Sequence, residues 1–202
     1  MIPADSPLWL PARIGKFTAS LAPKAFARTK SGWAASRQDI AFDIVAERIS
    51  GFKKEVFVTE AMQWGIDQER SACELYEASK GIILEKSGLY DHPRIDFLAA
   101  SPDREIGTEG LLECKCPTTK THIQWIYKGV LPDDYKYQML IQLACTGRKW
   151  CEFISYDPRV AEKQRLFVRR FEPADSEIKL AEEMAEDFLA EVEAIFQRVT
   201  EA

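Results

Sequence analysis

The amino-acid sequence predicts a mixed α/β, or α+β, protein in which a central sheet is covered by helices. Three observations lead there. Apolar residues fall at helical spacing between residues 36 and 80, alternate with period two between residues 82 and 116, and then return to helix, strands and a final helix. No internal repeat, low-complexity tract or Gly/Ser linker divides the chain, so a single domain over residues 1–202 is expected.

The opening segment, to residue 35, reads as irregular because Pro3, Pro7, Pro11 and Pro23 interrupt its short apolar stretches. Ser36-Arg-Gln-Asp39 reads as a capping-box-like helix start, with Ile40, Ile44, Val45 and Ile49 on one face until Gly51. A second helix is expected from Thr59 to Lys80, with Met62, Trp64, Ala72, Cys73, Leu75 and Tyr76 as its apolar positions and Gly81 just past its end. Ile82–Leu84, Ile95–Leu98 and Leu111–Cys116 read as strands, separated by Pro102 and by Gly107-Thr-Glu-Gly110. Helices follow at 119–129 and from Asp134 to Cys145, then strands at Trp150–Tyr156 and Arg165–Phe171. The tail, 172–202, places Ile178, Ala181, Ala185, Phe188, Leu189, Val192, Ile195 and Phe196 on one helical face. That stripe is expected to dock on the body, and the acidic back to be simply solvated.

Composition removes several function classes. Hydrophobic residues make up 46% and charged residues 29%, the balance of an ordinary soluble globular protein. No apolar run approaches the ~18 residues that span a bilayer, and the amino terminus has no basic or apolar leader pattern, so a cytoplasmic protein is expected. Cys73, Cys114, Cys116, Cys145 and Cys151 form no framework spacing, which fits reduced thiols. Zinc is not expected, since Cys114-Lys-Cys116 is too short for a knuckle and His92 and His122 have no partner in the sequence. The net charge of −5 is unusual for a DNA-binding protein, but it is segregated. Residues 172–202 hold ten acids and two bases, a charge of −8 that leaves +3 on the rest. A mildly basic body can bind a polyanion through a local cleft.

The chemistry is concentrated in Ser101-Pro102-Asp103 and, ten residues after the aspartate, Glu113-Cys114-Lys115. In a strand, Glu113 and Lys115 project from one face while Leu112, Cys114 and Cys116 take the other. A hairpin through residues 103–110 brings Asp103 beside Glu113. Two carboxylates with the intervening backbone carbonyl make a hard-oxygen site suited to Mg²⁺, and Lys115 can orient or help deprotonate a water and stabilise charge on phosphorus. Taken alone, the pattern equally describes a surface hairpin with a cross-strand salt bridge.

Further matches narrow the choice. Arg13-Ile-Gly-Lys-Phe-Thr-Ala-Ser20, Met62-Gln-Trp-Gly65 with Glu69 and Tyr76-Glu77, the two catalytic segments, Tyr137-Gln138 through Gln142, Thr146-Gly-Arg148 and Tyr156-Asp-Pro-Arg159 occur in one unbroken order. In this the chain resembles the bacteriophage lambda exonuclease and YqaJ-type viral recombinase family, within the PD-(D/E)xK nucleases. The resemblance implies a restriction-endonuclease-like core, a central mixed β-sheet flanked by helices.

It also implies roles. Asp103, Glu113 and the Cys114 carbonyl would hold Mg²⁺, with Mn²⁺ a possible substitute, Lys115 would serve the attacking water, and Glu69 would act through a metal-bound water or a second ion. Arg13, Ser20, Ser101 and Gln138 would bind the 5′-phosphate of a DNA end; the family often shows Q-x-Q there, and here Gln142 competes with Gln138 for the glutamine role. Met62 stands where the family places an apolar wedge, though a helix-start methionine is as readily core. Lys30 stands where a basic loop touches DNA. Cys114 and Cys116 read as packing residues. His122 and Trp125 read as core or surface residues before DNA contacts.

The expected function is an Mg²⁺-dependent exonuclease that takes the 5′-ended strand of duplex DNA to mononucleotides. It would leave 3′ overhangs for recombination by strand annealing. The resemblance adds a ring-shaped homotrimer, a single-strand annealing protein as partner, and a phage or prophage origin in a bacterial cell. An endonuclease of restriction or repair type is the first rival, and a non-catalytic DNA-end or protein-binding module the second.

Overall fold

The computed structural model describes residues 1–54 and 57–202. Its main sheet has five strands. Gly110–Lys115 (β9) lies near its middle, between Arg104–Ile106 (β8) and Trp150–Tyr156 (β10), with Glu85–Lys86 (β5) and Leu166–Phe171 (β11) at the edges. The sheet is mixed: β9 and β10 run parallel, and the other neighbours run antiparallel. The parallel pair is joined by the helices Thr119–Lys128 (α4) and Lys136–Thr146 (α5), the crossover that parallel strands require. Gly110 starts β9 because a side chain there would run into the Trp150 ring.

A smaller sheet orders Ile2–Pro3 (β1), Gly88–Asp91 (β6), Leu98–Ala100 (β7) and Phe17–Thr18 (β2). Arg28–Thr29 (β3) and Gly32–Trp33 (β4) form a separate hairpin. The remaining helices are Ala22–Ala25 (α1), Ala35–Ser50 (α2), Glu60–Lys80 (α3) and Asp175–Thr200 (α6).

Alternation along the central strands gives each face its own core. Leu112, Cys114, Cys116, Ile154 and Tyr156 pack against Ala72, Cys73 and Tyr76 of α3. On the other face Leu111, Cys151, Phe153 and Phe167 pack against Met139 and Leu143 of α5, with Trp125 of α4 and Tyr135 alongside. A third cluster joins α1, α2, α5, the small sheet and α6, the last contributing Ala181, Ala185, Phe188, Leu189 and Val192. All five cysteines are buried and free.

Several local expectations are corrected. The helix α2 starts at Ala35 behind Ala34, which has no capping side chain, and the Ser36 hydroxyl donates to the Lys24 carbonyl (2.8 Å) instead of capping. Ile49 is exposed. Residues Ile82–Leu84 form no strand, because the Leu84 N–H is taken by the Glu77 carboxylate at 2.6 Å; pairing begins at Glu85. Residues 95–97 are a turn held by His92, whose Nδ1 accepts from the N–H groups of Arg94 and Ile95, and Phe97 adopts φ +62° before β7 begins. Gly88–Asp91 forms a strand that no alternation in the sequence marks. It crosses β1 so closely that a Cβ at Gly88 would collide with the Ile2 carbonyl oxygen.

The acidic tail is not merely solvated. Glu191 forms two hydrogen bonds of 2.9 Å to Arg37, Glu193 pairs with Arg48, and Glu182 meets both His92 and Arg94. His122 is fully buried between Ser155 Oγ and the Gln164 carbonyl, a core residue, and Trp125 is partly buried, edge-on against Tyr135 and Phe153 at the margin of the core.

Candidate active site

The strand β9 continues its alternation beyond the core. Leu111 is packed under α5, and Glu113 and Lys115 follow it on the same face, toward the end of the strand. Ladder pairing sets Arg104 opposite Leu112, so Asp103, one residue before β8, comes level with Glu113. Asp103 Oδ2 accepts the Cys114 N–H at 2.7 Å. In an extended strand the N–H and C=O of one residue point to the same side, so the Cys114 carbonyl is also turned toward Asp103.

Glu113 is fully buried, and three donors surround it. Gln138 Nε2 donates to Oε1 and Gln142 Nε2 to Oε2, each at 2.6 Å, and the Lys115 ammonium also reaches Oε1. The glutamines can both do so because residues four apart share a helix face.

These groups line a cleft of about 360 Å³ together with Trp9, Arg13, Thr18, Ser20, Glu69, Ser101 and Arg104. A second cleft, about 580 Å³, shares Ser20, Glu69, Asp103, Lys115 and Gln138 with the first and extends it past Met62, Ile66, Pro117 and Tyr135. One continuous groove thus passes over the carboxylates.

Its electrostatics are strongly biased. Burial, and then the adjacent Glu113 charge, push the Asp103 carboxyl well above the usual range. Burial alone would lower Lys115, but Glu113 and Asp103 outweigh it and hold the ammonium above the ordinary lysine value. Glu69 is ion-paired to Arg104 at 2.9 Å. Arg13, whose pKa burial lowers, lies with its guanidinium 4.5 Å from the centre of the Trp9 ring. Among the described residues it has no ion-pair partner, which leaves a cation available to an anionic ligand.

Of the residues selected from sequence, Asp103, Glu113, Lys115, Glu69, Arg13, Ser20, Ser101 and Gln138 meet in the first cleft. Met62 belongs to the second, half-exposed at the start of α3. Lys30 sits in the exposed turn between β3 and β4 and lines neither. Sequence reading missed Trp9, whose indole N–H donates to Ser101 Oγ at 3.2 Å, and also Thr18 and Arg104. Trp9 falls four residues before Arg13, a spacing visible in the sequence but set in a proline-broken segment that gave no reason to use it. Gln138, expected at a phosphate, is hydrogen-bonded to Glu113.

The donor set fits a hard divalent cation. Asp103 and Glu113 are crowded carboxylates whose mutual repulsion a dication would relieve, and the Cys114 carbonyl adds a third oxygen. Among the described residues no three His, Cys, Asp or Glu side chains gather closely enough to hold an ion by themselves. A divalent ion held by Asp103 and Glu113 would therefore take its other ligands from backbone and water.

A family model described as the YqaJ-like viral recombinase domain matches residues 8–149. Among solved structures the chain is similar to LHK-Exo, an alkaline exonuclease from Laribacter hongkongensis, with 39% identity over 97% of both chains and a TM-score of 0.89. One of the two crystal structures of that protein is a complex with dAMP. A phage related exonuclease from Haemophilus somnus 129PT superposes with a TM-score of 0.65 over 91% of this chain and 96% of that one; at 12% identity the likeness concerns the fold alone. No curated protein matches. The fold is that of the PD-(D/E)xK nucleases.

Proposed function

The chain belongs to the YqaJ-like viral recombinase family and by that kinship is a DNA exonuclease; from this premise we propose that it acts on duplex ends with Mg²⁺ and digests the 5′-ended strand 5′→3′. Mononucleotides are released and 3′ single-stranded overhangs remain for annealing-type recombination. The observation that carries the proposal is the meeting, in one cleft, of a carboxylate pair with its lysine and an arginine, unpaired among the described residues, together with two serine hydroxyls.

Each residue has a task in this reading. Asp103, Glu113 and the Cys114 carbonyl hold the cation, which when bound polarises a phosphoryl oxygen and acidifies a water. Mn²⁺ meets the same ligand preferences. Lys115, kept protonated by its two carboxylate neighbours, donates hydrogen bonds that orient water and stabilise charge on the phosphate. This suits it better to orientation than to proton abstraction. Arg13, Ser20 and Ser101 receive the 5′-phosphate, with Trp9 backing the guanidinium. Gln138 supports Glu113, and Glu69, tied to Arg104, serves the site at one remove. Met62 and Ile66 give the groove an apolar edge against which end base pairs can splay, and Lys30 contacts phosphate further out.

Residues 1–202 work in this reading as one nuclease domain whose acidic α6 repels DNA from the outer surface. Assembly as a homotrimer and cooperation with a single-strand annealing protein belong to the same proposal, as does a phage or prophage origin and action in the bacterial cytoplasm. Among the described residues no helix is long and apolar enough to cross a membrane.

The test is a metal-titrated assay on linear and covalently closed duplex. Linear DNA is degraded with Mg²⁺ and closed circles survive; cleavage of circles would establish the endonuclease reading instead. Lys115→Ala should lower the rate by about 10²–10⁴-fold with DNA binding intact, and an active variant defeats the assignment of the centre.

A further inference from the structure

Gln142 occupies a place where a glutamine is costly. It is 1% exposed, on a helix whose neighbouring Met139 and Leu143 are core residues. Its Nε2 donates to Glu113 Oε2, while its own Oε1 is buried without a hydrogen-bond partner among the described residues. An orphaned buried acceptor is unfavourable, and a methionine of similar shape would avoid it. The amide also cannot turn over to relieve the mismatch, because that would set its oxygen against the Glu113 oxygen. Gln142 thus satisfies a carboxylate at the expense of its own carbonyl.

Gln138, one turn earlier, donates to the other oxygen. With Lys115 also on Oε1, three of the roughly four lone-pair directions of a carboxylate are occupied. The two amides hold the carboxylate by both of its oxygens, and Glu113 is among the residues that line the cleft. We infer that Gln142 is a positioning residue: paired with Gln138, it holds Glu113 in the orientation that presents a lone pair to a divalent cation. The inference rests on the metal site proposed above.

The experiment measures Mn²⁺ binding by the loss of the free-ion electron paramagnetic resonance signal, in the wild-type chain, Gln142→Met and Ile141→Val. The last is a fully buried control on the same helix, packed in the separate cluster with α2 and α6, and it makes no side-chain hydrogen bond to Glu113. Thermal unfolding of each accompanies the titration. Gln142→Met should bind Mn²⁺ about 10- to 100-fold more weakly, with kcat reduced and the KM for a duplex end retained, while Ile141→Val binds like wild type. Unchanged Mn²⁺ affinity in Gln142→Met, whatever its Tm, overturns the inference alone. So does an equal loss in Ile141→Val. If the wild-type chain binds no Mn²⁺, the metal reading falls and takes the inference with it. Should Gln142→Met fail to fold, Gln142→Asn, which keeps the amide but shortens its reach, is judged in the same way.

Discussion

Replacing Arg13 by methionine separates recognition of a DNA end from the chemistry performed on it. The guanidinium is partly buried, stacked on Trp9, and among the described residues faces no carboxylate within ion-pair distance. A partly buried cation without an ion-pair partner among the described residues adds little to stability, so Arg13→Met should fold at least as stably as wild type, an outcome opposite to that for a structural arginine. Hydrogen bonds to a charged group are worth about 1.5–3 kcal/mol, so losing them to a terminal phosphate lowers kcat/KM by roughly 10- to 150-fold. Ends bearing a 5′-hydroxyl never make that contact and should be cleaved by both forms at similar rates. The assay is single-turnover digestion of matched linear duplexes carrying either 5′-phosphate or 5′-hydroxyl, with the ratio of the two rates as the readout. Trp9→Leu removes only the stacking and should give a smaller loss, since an exposed-to-desolvated cation–π contact is worth about 0.5–2 kcal/mol. If the phosphate preference of Arg13→Met equals that of wild type, the unpaired guanidinium is not the end receptor.

Two further substitutions test the frame that holds the site. Arg37, 3% exposed, spans Glu191 and the Ala25 carbonyl; Arg37→Met orphans that carbonyl and half-exposed Glu191. The expected loss is about 2–4 kcal/mol, or roughly 5–15 °C in Tm for a chain of this size, read by thermal unfolding; a change within 0.5 kcal/mol, on the order of a surface substitution, would refute the anchoring of α6. Asp157 is fully buried at the end of β10, where burial would raise its pKa but hydrogen bonds from Arg159 and Thr119 outweigh it and hold it at about 2. A depressed carboxylate stabilises above its unfolded pKa of about 3.9 and loses that contribution as pH falls toward the folded value. Asp157→Asn should therefore cost about 2 kcal/mol at pH 7 and progressively less between pH 4 and pH 2, measured by urea unfolding along a pH series. A pH-independent difference would contradict the ion-pair account.

Long periodic segments and glycine stops were the legible part of the fold. The glycines after α3 and α5, Gly81 and Gly147, both adopt positive φ just past the helix ends, and β10 has the boundaries its alternation implied. What sequence could not reveal was set by partners distant in the chain. Ile82–Leu84 has strand composition, but Glu77 takes the Leu84 N–H. Phe97 lies inside an apolar run yet adopts a left-handed turn, because His92 organises the backbone ahead of it. The capping residue implied at Ser36 is instead bound to Lys24, on a segment twelve residues earlier. Tail acids look like solvated surface until Arg37, Arg48 and Arg94 are brought beneath them by the fold.

The candidate site divides along the same line, between what a strand's period determines and what packing determines. Alternation alone puts Glu113 and Lys115 on one face, and hairpin length alone brings Asp103 back beside them. Neither says that this face is the one covered by α5. A carboxylate on a covered face is expensive unless donors surround it, and α5 accordingly carries Gln138 and Gln142 where its pattern otherwise calls for apolar residues. In the sequence those glutamines look like a departure from a helix's apolar stripe, and the departure itself is the signal. Polar residues one turn apart on a helix that must cover a strand imply a charged group beneath them, and here both amides donate to Glu113. Violations of the local pattern that answer one another across an interface carry more information about a site than the pattern does. By the same reasoning Arg13 is informative because, among the described residues, only the more distant charge of Glu47 acts on it and no carboxylate pairs with it: a cation the fold leaves unpaired is a candidate receptor for an anion.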